Sequence, residues 1–144
     1  MRNLKSELAA GKVLLGVYIY LPWVEAVEIA GYAGYDVLLI NTEHGAIDAS
    51  DAQALVLAAQ GAGIAPIWRV SGVNRGEIKK ALDWGAAGVF VPEIRTAEDA
   101  ALVVEAARYP PAGQRGVDPR RPTRYGMADK RAYMQRANDE VVVC

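Results

Sequence analysis

The sequence predicts an α/β fold with a parallel sheet, because short apolar runs of β-type residues alternate with longer helical patterns. Most of these runs are continuously apolar, which is typical of strands that are buried on both faces. The repeated strand, helix, strand order predicts right-handed crossovers between parallel strands. The β-type runs are 14–20, 36–41, 65–70, 88–94 and 141–144.

Helical patterns lie before, between and after these runs. An amphipathic helix at 3–10 precedes the first strand, and Gly11 is suited to end it. A Pro/Gly/Arg-rich loop after 109–111 leads to a short helix near 128–137 and then to the last strand. The helices that connect consecutive strands are expected at 23–33, 49–60, 75–84 and 97–108.

Three of the connecting helices begin with residues that satisfy free backbone N–H groups. Asp48 or Ser50 is the N-cap of the second connecting helix, and Asn74 precedes the third. Thr96 precedes the fourth, and acidic residues follow it in the first turn, where negative charge complements the helix dipole.

Two architectures fit this series of elements: an open doubly wound sheet, and part of a (β/α)8 barrel. A dinucleotide-binding or P-loop fold needs glycines directly after a strand. The first strand is instead followed by Leu21-Pro22-Trp23, and neither GxGxxG nor GxxxxGK[ST] occurs in the sequence. The sequence therefore disfavours a nucleotide-binding fold.

Composition excludes several kinds of protein. The chain has 144 residues, is 52% hydrophobic and 23% charged, and has a net charge of −1. Its single cysteine, Cys144, excludes an intramolecular disulfide and a cysteine-based zinc site. No apolar run approaches the roughly 20 residues of a membrane span, and the first residues lack the apolar core of a signal peptide. We therefore expect a cytoplasmic protein that does not bind membranes.

Positive charge is concentrated in the last third of the chain. The stretch 108–136 contains eight Lys and Arg residues against two Asp, a net charge of +6 that leaves −7 for the rest. Such a stretch can bind nucleic acid, but this one has few aromatic residues and no known nucleic-acid motif. We interpret it as solvated arginines, an interface or an anion site, and expect no nucleic-acid partner.

Polar and ionisable residues lie where four successive strands end. The carboxyl ends of parallel strands form one rim, and functional residues collect at that rim in barrels and open α/β sheets. We therefore expect these side chains to converge. They are Tyr18, Tyr20, Asn41, Glu43, His44, Arg69 and Glu93.

His44 and Arg69 are the candidates for chemistry at this rim. His44 is the only histidine, and an unperturbed pKa of about 6.5 suits it to proton abstraction, whereas the alternative is a structural role. Arg69 ends an apolar strand, where an unpaired cation is costly to bury. It either holds a carboxylate or an enolate oxygen through parallel hydrogen bonds, or it forms a salt bridge with Glu43 or Glu93.

Lysine is absent from the predicted strand ends. All five lysines lie in predicted helices or turns, so none is placed to form a Schiff base with a carbonyl substrate. A carbonyl-activating enzyme on this scaffold therefore requires a metal ion as its electrophile.

Three motifs, in this order, resemble those of the HpcH/HpaI aldolases, which are class II, metal-dependent pyruvate aldolases. The first, 33–45, ends in the letters EHG; the second is WRV at 68–70; the third is YPPAGQRG at 109–116. The resemblance extends over 4–144 and covers the N-terminal part of the family's barrel.

The resemblance implies a (β/α)8 barrel that binds a divalent metal ion, Mg²⁺, Mn²⁺ or Co²⁺, and reversibly cleaves a 4-hydroxy-2-oxoacid to pyruvate and an aldehyde. His44 matches the general base of the family, which acts on the aldol hydroxyl. Arg69 matches the residue that holds the pyruvyl oxygens and stabilises the enolate. Tyr18 lies where the family often has an aromatic residue near the aldehyde part of the substrate. The family also implies a homo-oligomer, in particular a hexamer.

Two features depart from the family's pattern. Asn41 stands where the family usually has the Asp that partners the catalytic histidine. An amide can orient an imidazole through a hydrogen bond, but it cannot stabilise an imidazolium by charge. The family's metal ligands, a Glu and a later Asp, align beyond Cys144, so the resemblance places no metal ligand in this chain. Glu43 and Glu93 are weaker candidates for metal ligands in their place.

We therefore expect residues 1–144 to form one partial barrel domain of four βα units and the start of a fifth strand, whereas a closed barrel has eight units and about 250 residues. The leading hypothesis is the N-terminal part of a pyruvate aldolase. One alternative is a non-catalytic fragment or subunit that a second chain completes. Another is an open-sheet module that binds an anion through Arg69 and the basic stretch. Open strand edges and apolar inner faces predict that a partial barrel associates with a further segment or chain.

Overall fold

A computed structural model describes residues 2–144, in which strands and helices alternate. The strands are β1 (Gly16–Ile19), β2 (Val37–Asn41), β3 (Ala65–Arg69), β4 (Gly88–Phe90) and β5 (Val142–Val143). The helices are α1 (Leu4–Ala9), α2 (Val24–Tyr32), α3 (Ala49–Gly61), α4 (Arg75–Asp83), α5 (Ala97–Ala107) and α6 (Lys130–Glu140). A 3-10 turn at Arg124–Gly126 lies in the loop between α5 and α6. Every helix and strand predicted from the sequence is present.

The strands form one parallel sheet in the order β1-β2-β3-β4-β5, so each strand pairs with its neighbour in sequence. A doubly wound sheet reverses its strand order and carries helices on both faces. Here the order does not reverse, and α2 to α5 all pack against the same face. The fold is therefore the first part of a (β/α)8-type barrel, and the open doubly wound alternative is wrong.

The outer face of the sheet packs against the four connecting helices to form the main core. Ile40, Trp68 and Val89 are buried on this face because alternate strand residues point the same way. Each helix contributes apolar residues spaced three or four positions apart, which form one buried stripe. These residues include Val27 of α2, Leu55 and Ala59 of α3, Ile78 and Ala81 of α4, and Val103 and Ala107 of α5.

The inner face of the sheet has a smaller and less covered core. Ala65 and Ile67 of β3 are buried there together with Leu4, which α1 places over them. Val37 and Phe90 lie in the same cluster but are only partly buried. The inner face is thus closed at one place by α1 and is otherwise accessible, which leaves room for polar side chains at the rim.

The predicted helix caps are confirmed. Asp48, rather than Ser50, is the N-cap of α3: its carboxylate accepts hydrogen bonds from the N–H groups of Ser50 and Asp51 in a capping box. Asn74 caps α4 and Thr96 caps α5 through side-chain oxygens in the same way. Local sequence is sufficient to start these helices.

The fourth strand is shorter than the predicted run 88–94, since β4 ends at Phe90. Pro92 follows and has no N–H group to continue the ladder. Glu93 then adopts a φ of 58°, a left-handed conformation outside the range of β-strands. Among the residues that the structure describes, none of the helices has the length and hydropathy that crossing a bilayer requires.

Candidate active site

The polar strand-end residues meet at the carboxyl rim of the sheet. Asn41, Arg69 and Phe90 occupy matching positions on β2, β3 and β4. Glu43 and His44 follow in the turn directly after β2. This arrangement brings a carboxylate, an imidazole and a guanidinium together at the end of the strands where barrel enzymes have their active sites.

Arg69 and Glu43 form a close ion pair. Arg69 Nε donates to Glu43 Oε2 at 2.5 Å, and both side chains are largely buried, with exposures of 20% and 17%. The Arg69 guanidinium also lies over the Phe90 ring, with Cζ 5.0 Å from its centroid. The Glu43 carboxylate, and to a smaller extent the Tyr18 hydroxyl, raises the pKa of Arg69 above its usual value. Arg69 is thus a fixed cation at the rim, and of the salt bridges that the sequence offered as an alternative role for Arg69, the one to Glu43 is present.

His44 lies near the same carboxylate oxygen of Glu43 that Arg69 binds. Its Nε2 is 3.4 Å from Glu43 Oε2, the oxygen that also receives the Arg69 hydrogen bond. Unlike the ion pair, the imidazole is well exposed, with 65% of its side-chain surface accessible. A histidine with a carboxylate near one ring nitrogen and with most of its surface open to solvent is suited to exchange a proton with a small molecule at this rim.

Asn41 binds the backbone of the turn that follows β2. Its side chain is buried, and Oδ1 accepts hydrogen bonds from the backbone N–H groups of Glu43 at 3.1 Å and His44 at 3.0 Å. The amide therefore holds the backbone of the turn and does not contact the imidazole. Gly45 completes the turn, because a Cβ there would collide with the carbonyl oxygens of Asn41 and Tyr20.

Thr42 is a site residue that the sequence analysis missed. Its hydroxyl donates to the Arg69 carbonyl oxygen at 2.8 Å and accepts from Trp68 Nε1 at 3.0 Å. These bonds fix the end of β3 against the turn after β2 and so position Arg69 relative to Glu43. The sequence feature that could have indicated this role is the position of Thr42 between Asn41 and Glu43 in the family motif at 33–45.

The remaining predicted residues divide into two groups. Tyr18 lies on β1 close enough to influence Arg69, and its ring stacks on that of Tyr20 with centroids 5.9 Å apart. Glu93 does not join the cluster: its exposed carboxylate is 3.6 Å from Arg95.

The described part of the chain offers no set of metal ligands. Within residues 2–144, no group of three His, Cys, Asp or Glu side chains is arranged to hold a metal ion. Glu43, the carboxylate nearest to His44, is already bound by Arg69. The residues present therefore do not fit a divalent cation by themselves.

Comparison with known proteins gives consistent matches. A family model described as HpcH/HpaI aldolase/citrate lyase matches residues 15–144. The chain is 38% identical over 144 residues to a 4-hydroxy-2-oxovalerate aldolase of Novosphingobium aromaticivorans, a match that covers 99% of this chain and 54% of that protein. It is 39% identical over 128 residues to a 2-dehydro-3,6-dideoxy-6-sulfogluconate aldolase of Pseudomonas putida, covering 88% and 49%.

The solved structures agree with the sequence matches. The fold superimposes with a TM-score of 0.90 on the crystal structure of an HpcH/HpaI aldolase from Desulfitobacterium hafniense DCB-2, at 33% identity. That match covers 97% of this chain and 54% of the other. The chain thus spans about half the length of the curated relatives and of the solved structure that it matches.

Proposed function

The chain belongs to the HpcH/HpaI aldolase/citrate lyase family, and from this membership we propose that it provides the pyruvate-binding and proton-transfer residues of a reversible aldol cleavage. The substrate is a 4-hydroxy-2-oxoacid, and the products are pyruvate and an aldehyde. Curated relatives of about twice this length are named aldolases, which supports the reaction class. The contacts that join Arg69, Glu43 and His44 are the observation that carries the proposal.

Arg69 binds the 2-oxoacid in this proposal. Its Nε is held by Glu43, so its terminal nitrogens are the donors left for a carboxylate or a carbonyl oxygen. As the carbon–carbon bond breaks, negative charge develops on the oxygen of the 2-oxo group. A cation fixed beside that oxygen stabilises the enolate more than the ketone and so accelerates the reaction.

His44 takes the proton of the hydroxyl group on C4. The O–H electron pair becomes the second bond of the aldehyde carbonyl, the C3–C4 bond breaks, and its electron pair forms the enolate of pyruvate. A proton returned to C3 then gives pyruvate. Glu43, 3.4 Å from Nε2, stabilises the imidazolium that exists between these two proton transfers. Tyr18, at the edge of the cluster, contacts the aldehyde part.

The proposal includes a divalent cation, Mg²⁺, Mn²⁺ or Co²⁺, because the family is generally metal-dependent. Since residues 2–144 hold no ligand set for it, we assign no step of the reaction to the metal. We also propose a homo-oligomer in the cytosol, where the free thiol of Cys144 stays reduced.

Variants of the two rim residues test the proposal. Arg69→Ala is expected to weaken pyruvate binding by about tenfold to 100-fold, because this is the affinity that charge-assisted hydrogen bonds contribute. His44→Asn is expected to preserve pyruvate binding but to slow pyruvate release from a 4-hydroxy-2-oxoacid by about 100-fold. Calorimetry with pyruvate and a coupled assay for released pyruvate, both with added Mg²⁺, measure these effects.

Arg95→Ala is the matched control, because Arg95 is an exposed arginine that is paired with Glu93 outside the cluster. Both pyruvate binding and pyruvate release should be unchanged in that variant. An oxoacid affinity that survives Arg69→Ala would show that Arg69 is not the pyruvate-binding residue.

A second candidate function is that of a non-catalytic subunit which a further chain completes. The open outer edges of β1 and β5 in the described sheet favour it. Exchange of the pyruvate methyl protons with deuterium, followed by NMR, separates the two candidates. If the 144-residue chain exchanges the methyl protons with Mg²⁺ and without any second protein, it is not a non-catalytic subunit. Pyruvate binding without exchange of these protons supports the subunit.

A further inference from the structure

A basic cavity lies at the opposite end of the sheet from the candidate active site. It has a volume of about 860 Å³, and its wall includes Gln60, Gly85, Ala87 and Val141. These residues precede strands β3, β4 and β5, whereas the active-site residues follow strands. Because the strands are parallel, the cavity and the active site are at different ends of the fold and can bind different ligands.

Positive charge dominates the cavity wall. The charged residues that line it are Arg2, Arg115, Arg121, Arg124, Arg136 and Glu140. Arg2 is neutralised by Glu7 and Asp36, and Arg115 is paired with Asp83 at 2.7 Å. The three other arginines form no ion pair with any residue of 2–144, and neither does Glu140. An excess of two positive charges therefore faces the cavity.

The floor of the cavity fixes Arg121. Its Nη1 donates to the Trp84 carbonyl oxygen at 3.3 Å, and Gln60 Nε2 donates to the Gly85 carbonyl oxygen at 2.6 Å. A Cβ at Gly85 would lie 2.8 Å from Arg121 Nη1 and 3.1 Å from Gln60 Nε2. The glycine therefore allows both side chains to lie against this turn.

The rim of the cavity holds Arg124 in an unusual backbone conformation. Arg124 and Tyr125 have φ values of 51° and 56°, in the left-handed region that non-glycine residues rarely adopt. The buried hydroxyl of Thr123 donates to the Pro119 carbonyl oxygen and lies 3.1 Å from that of Arg120. The Ala128 N–H donates to the Thr123 carbonyl oxygen at 2.9 Å. Such over-determined conformations are typical of ligand-binding segments.

Arg115 adds a buried donor without a partner. Its side chain is 2% exposed and stacks on Tyr109, with Cζ 4.3 Å from the ring centroid. Nη2 binds Asp83, but Nε has no hydrogen-bond partner among the described residues. Arg108 Nε and the Tyr109 hydroxyl are unpartnered in the same way, and a water molecule or a bound group that reaches such a donor satisfies it.

We propose that this cavity binds a small molecule that carries a phosphoryl group, with the phosphoryl oxygens at Arg121, Arg124 and Arg136. A phosphoryl dianion matches the excess of two positive charges, and guanidinium groups donate paired hydrogen bonds to such oxygens. The volume suits a small metabolite. Tyr125 and Tyr133 line the same cavity and offer aromatic surface for its organic part.

Inorganic phosphate is the probe for this site, measured by calorimetry at low ionic strength with citrate as the polycarboxylate comparison. The wild-type protein is expected to bind phosphate at a single site. The double variant Arg124→Gln/Arg136→Gln should bind it at least about tenfold more weakly. Glu140→Gln, which removes the opposing charge, should bind it about threefold more tightly. Thermal unfolding of each variant verifies that it is folded.

Two matched variants show whether the phosphate binds in this cavity or elsewhere on the protein. Arg131→Gln removes an exposed arginine of α6 that does not line the cavity, so its affinity for phosphate should stay within about twofold of wild type. Arg69→Ala should also leave phosphate binding unchanged, which keeps the outcome independent of the proposed aldolase site. Absence of saturable phosphate binding, binding abolished by Arg69→Ala alone, or binding of citrate but not phosphate would each overturn the proposal.

Discussion

Glu43 contacts both side chains that we propose to be functional, Arg69 and His44. A single oxygen, Oε2, is shared between Arg69 Nε at 2.5 Å and His44 Nε2 at 3.4 Å. Because Glu43 and Arg69 are mostly buried, their attraction is screened less than that of a surface pair. Under the proposed function the carboxylate has two opposite effects: it fixes the cation and supports an imidazolium, but its charge repels an anionic substrate at Arg69.

The Glu43→Gln variant should separate these two effects. The amide oxygen still accepts a hydrogen bond from Arg69, but the negative charge is gone. We expect pyruvate to bind about fivefold more tightly, the equivalent of about 1 kcal/mol of removed repulsion, while the rate of aldol cleavage falls by about tenfold because the imidazolium loses its counter-ion. Calorimetry and the rate of pyruvate release measure the two quantities; weaker binding would show that Glu43 serves mainly to hold Arg69.

Asn41 determines the conformation of the turn that carries Glu43 and His44. In Asn41→Ala both of its backbone hydrogen bonds are lost in a buried position, and we expect a loss of about 2 kcal/mol in the free energy of unfolding. Asn41→Asp keeps an oxygen in the same place and should stay within about 1 kcal/mol of wild type. Urea unfolding compares the three proteins, and equal losses in both variants would contradict the assigned role of Oδ1.

Helix α3 begins at a titratable N-cap residue. Its N-cap, Asp48, accepts the N–H of Asp51 and the hydroxyl and N–H of Ser50, and these bonds lower the pKa of the carboxyl below its usual 3.8. The folded state therefore binds the proton less readily than the unfolded state does. The stabilisation by this carboxylate is present above the unfolded pKa and is lost as the pH falls through and below that value.

Asp48→Asn tests this pH dependence, because asparagine is an equally good N-cap that does not titrate. Between about pH 5 and about pH 3, the Tm of the wild-type protein should fall a few degrees further than that of the variant. Circular dichroism at each pH gives both curves, and all other acidic groups are common to the two proteins. Curves that stay parallel over this range would contradict a charged cap.

At the scale of the whole molecule, the sheet is covered unequally. Helices α2 to α5 bury its outer face, whereas only part of the inner face is covered, and the outer edges of β1 and β5 are unpaired in the described chain. Large apolar side chains near β1 and on α2 are also exposed, among them Val13 at 88%, Tyr32 at 81% and Ile29 at 66%. Unpaired edges and apolar patches of this kind favour association.

We propose that residues 1–144 fold as one partial barrel domain and that this domain associates in solution. The mass measured by light scattering should rise with protein concentration above the 15.5 kDa of one chain. Urea should dissociate the associated chains before they unfold or as they unfold, because the burial of apolar surface holds the chains together. A monomer that stays monodisperse at every concentration would contradict this prediction.

Much of the fold was predictable because its signals are local. The caps at Asp48, Asn74 and Thr96, and the apolar runs of β2 and β3, follow from residues close together in sequence. The convergence of Arg69 with Glu43 and His44 was also predictable, since parallel strands end at one rim. The end of β4 at Phe90 was not, because a continuous apolar run does not show where pairing stops.

Periodicity, capping and motif spacing are properties of neighbouring residues, so the sequence was sufficient to predict the alternating elements, their parallel arrangement and the family motifs. Three features became visible only in the folded chain: all connecting helices share one face, Asn41 binds the turn and not the imidazole, and part of the basic stretch lines a cavity. The physical reason is competition: a polar side chain has several possible partners, and the one it binds depends on which groups folding brings within reach and shields from water.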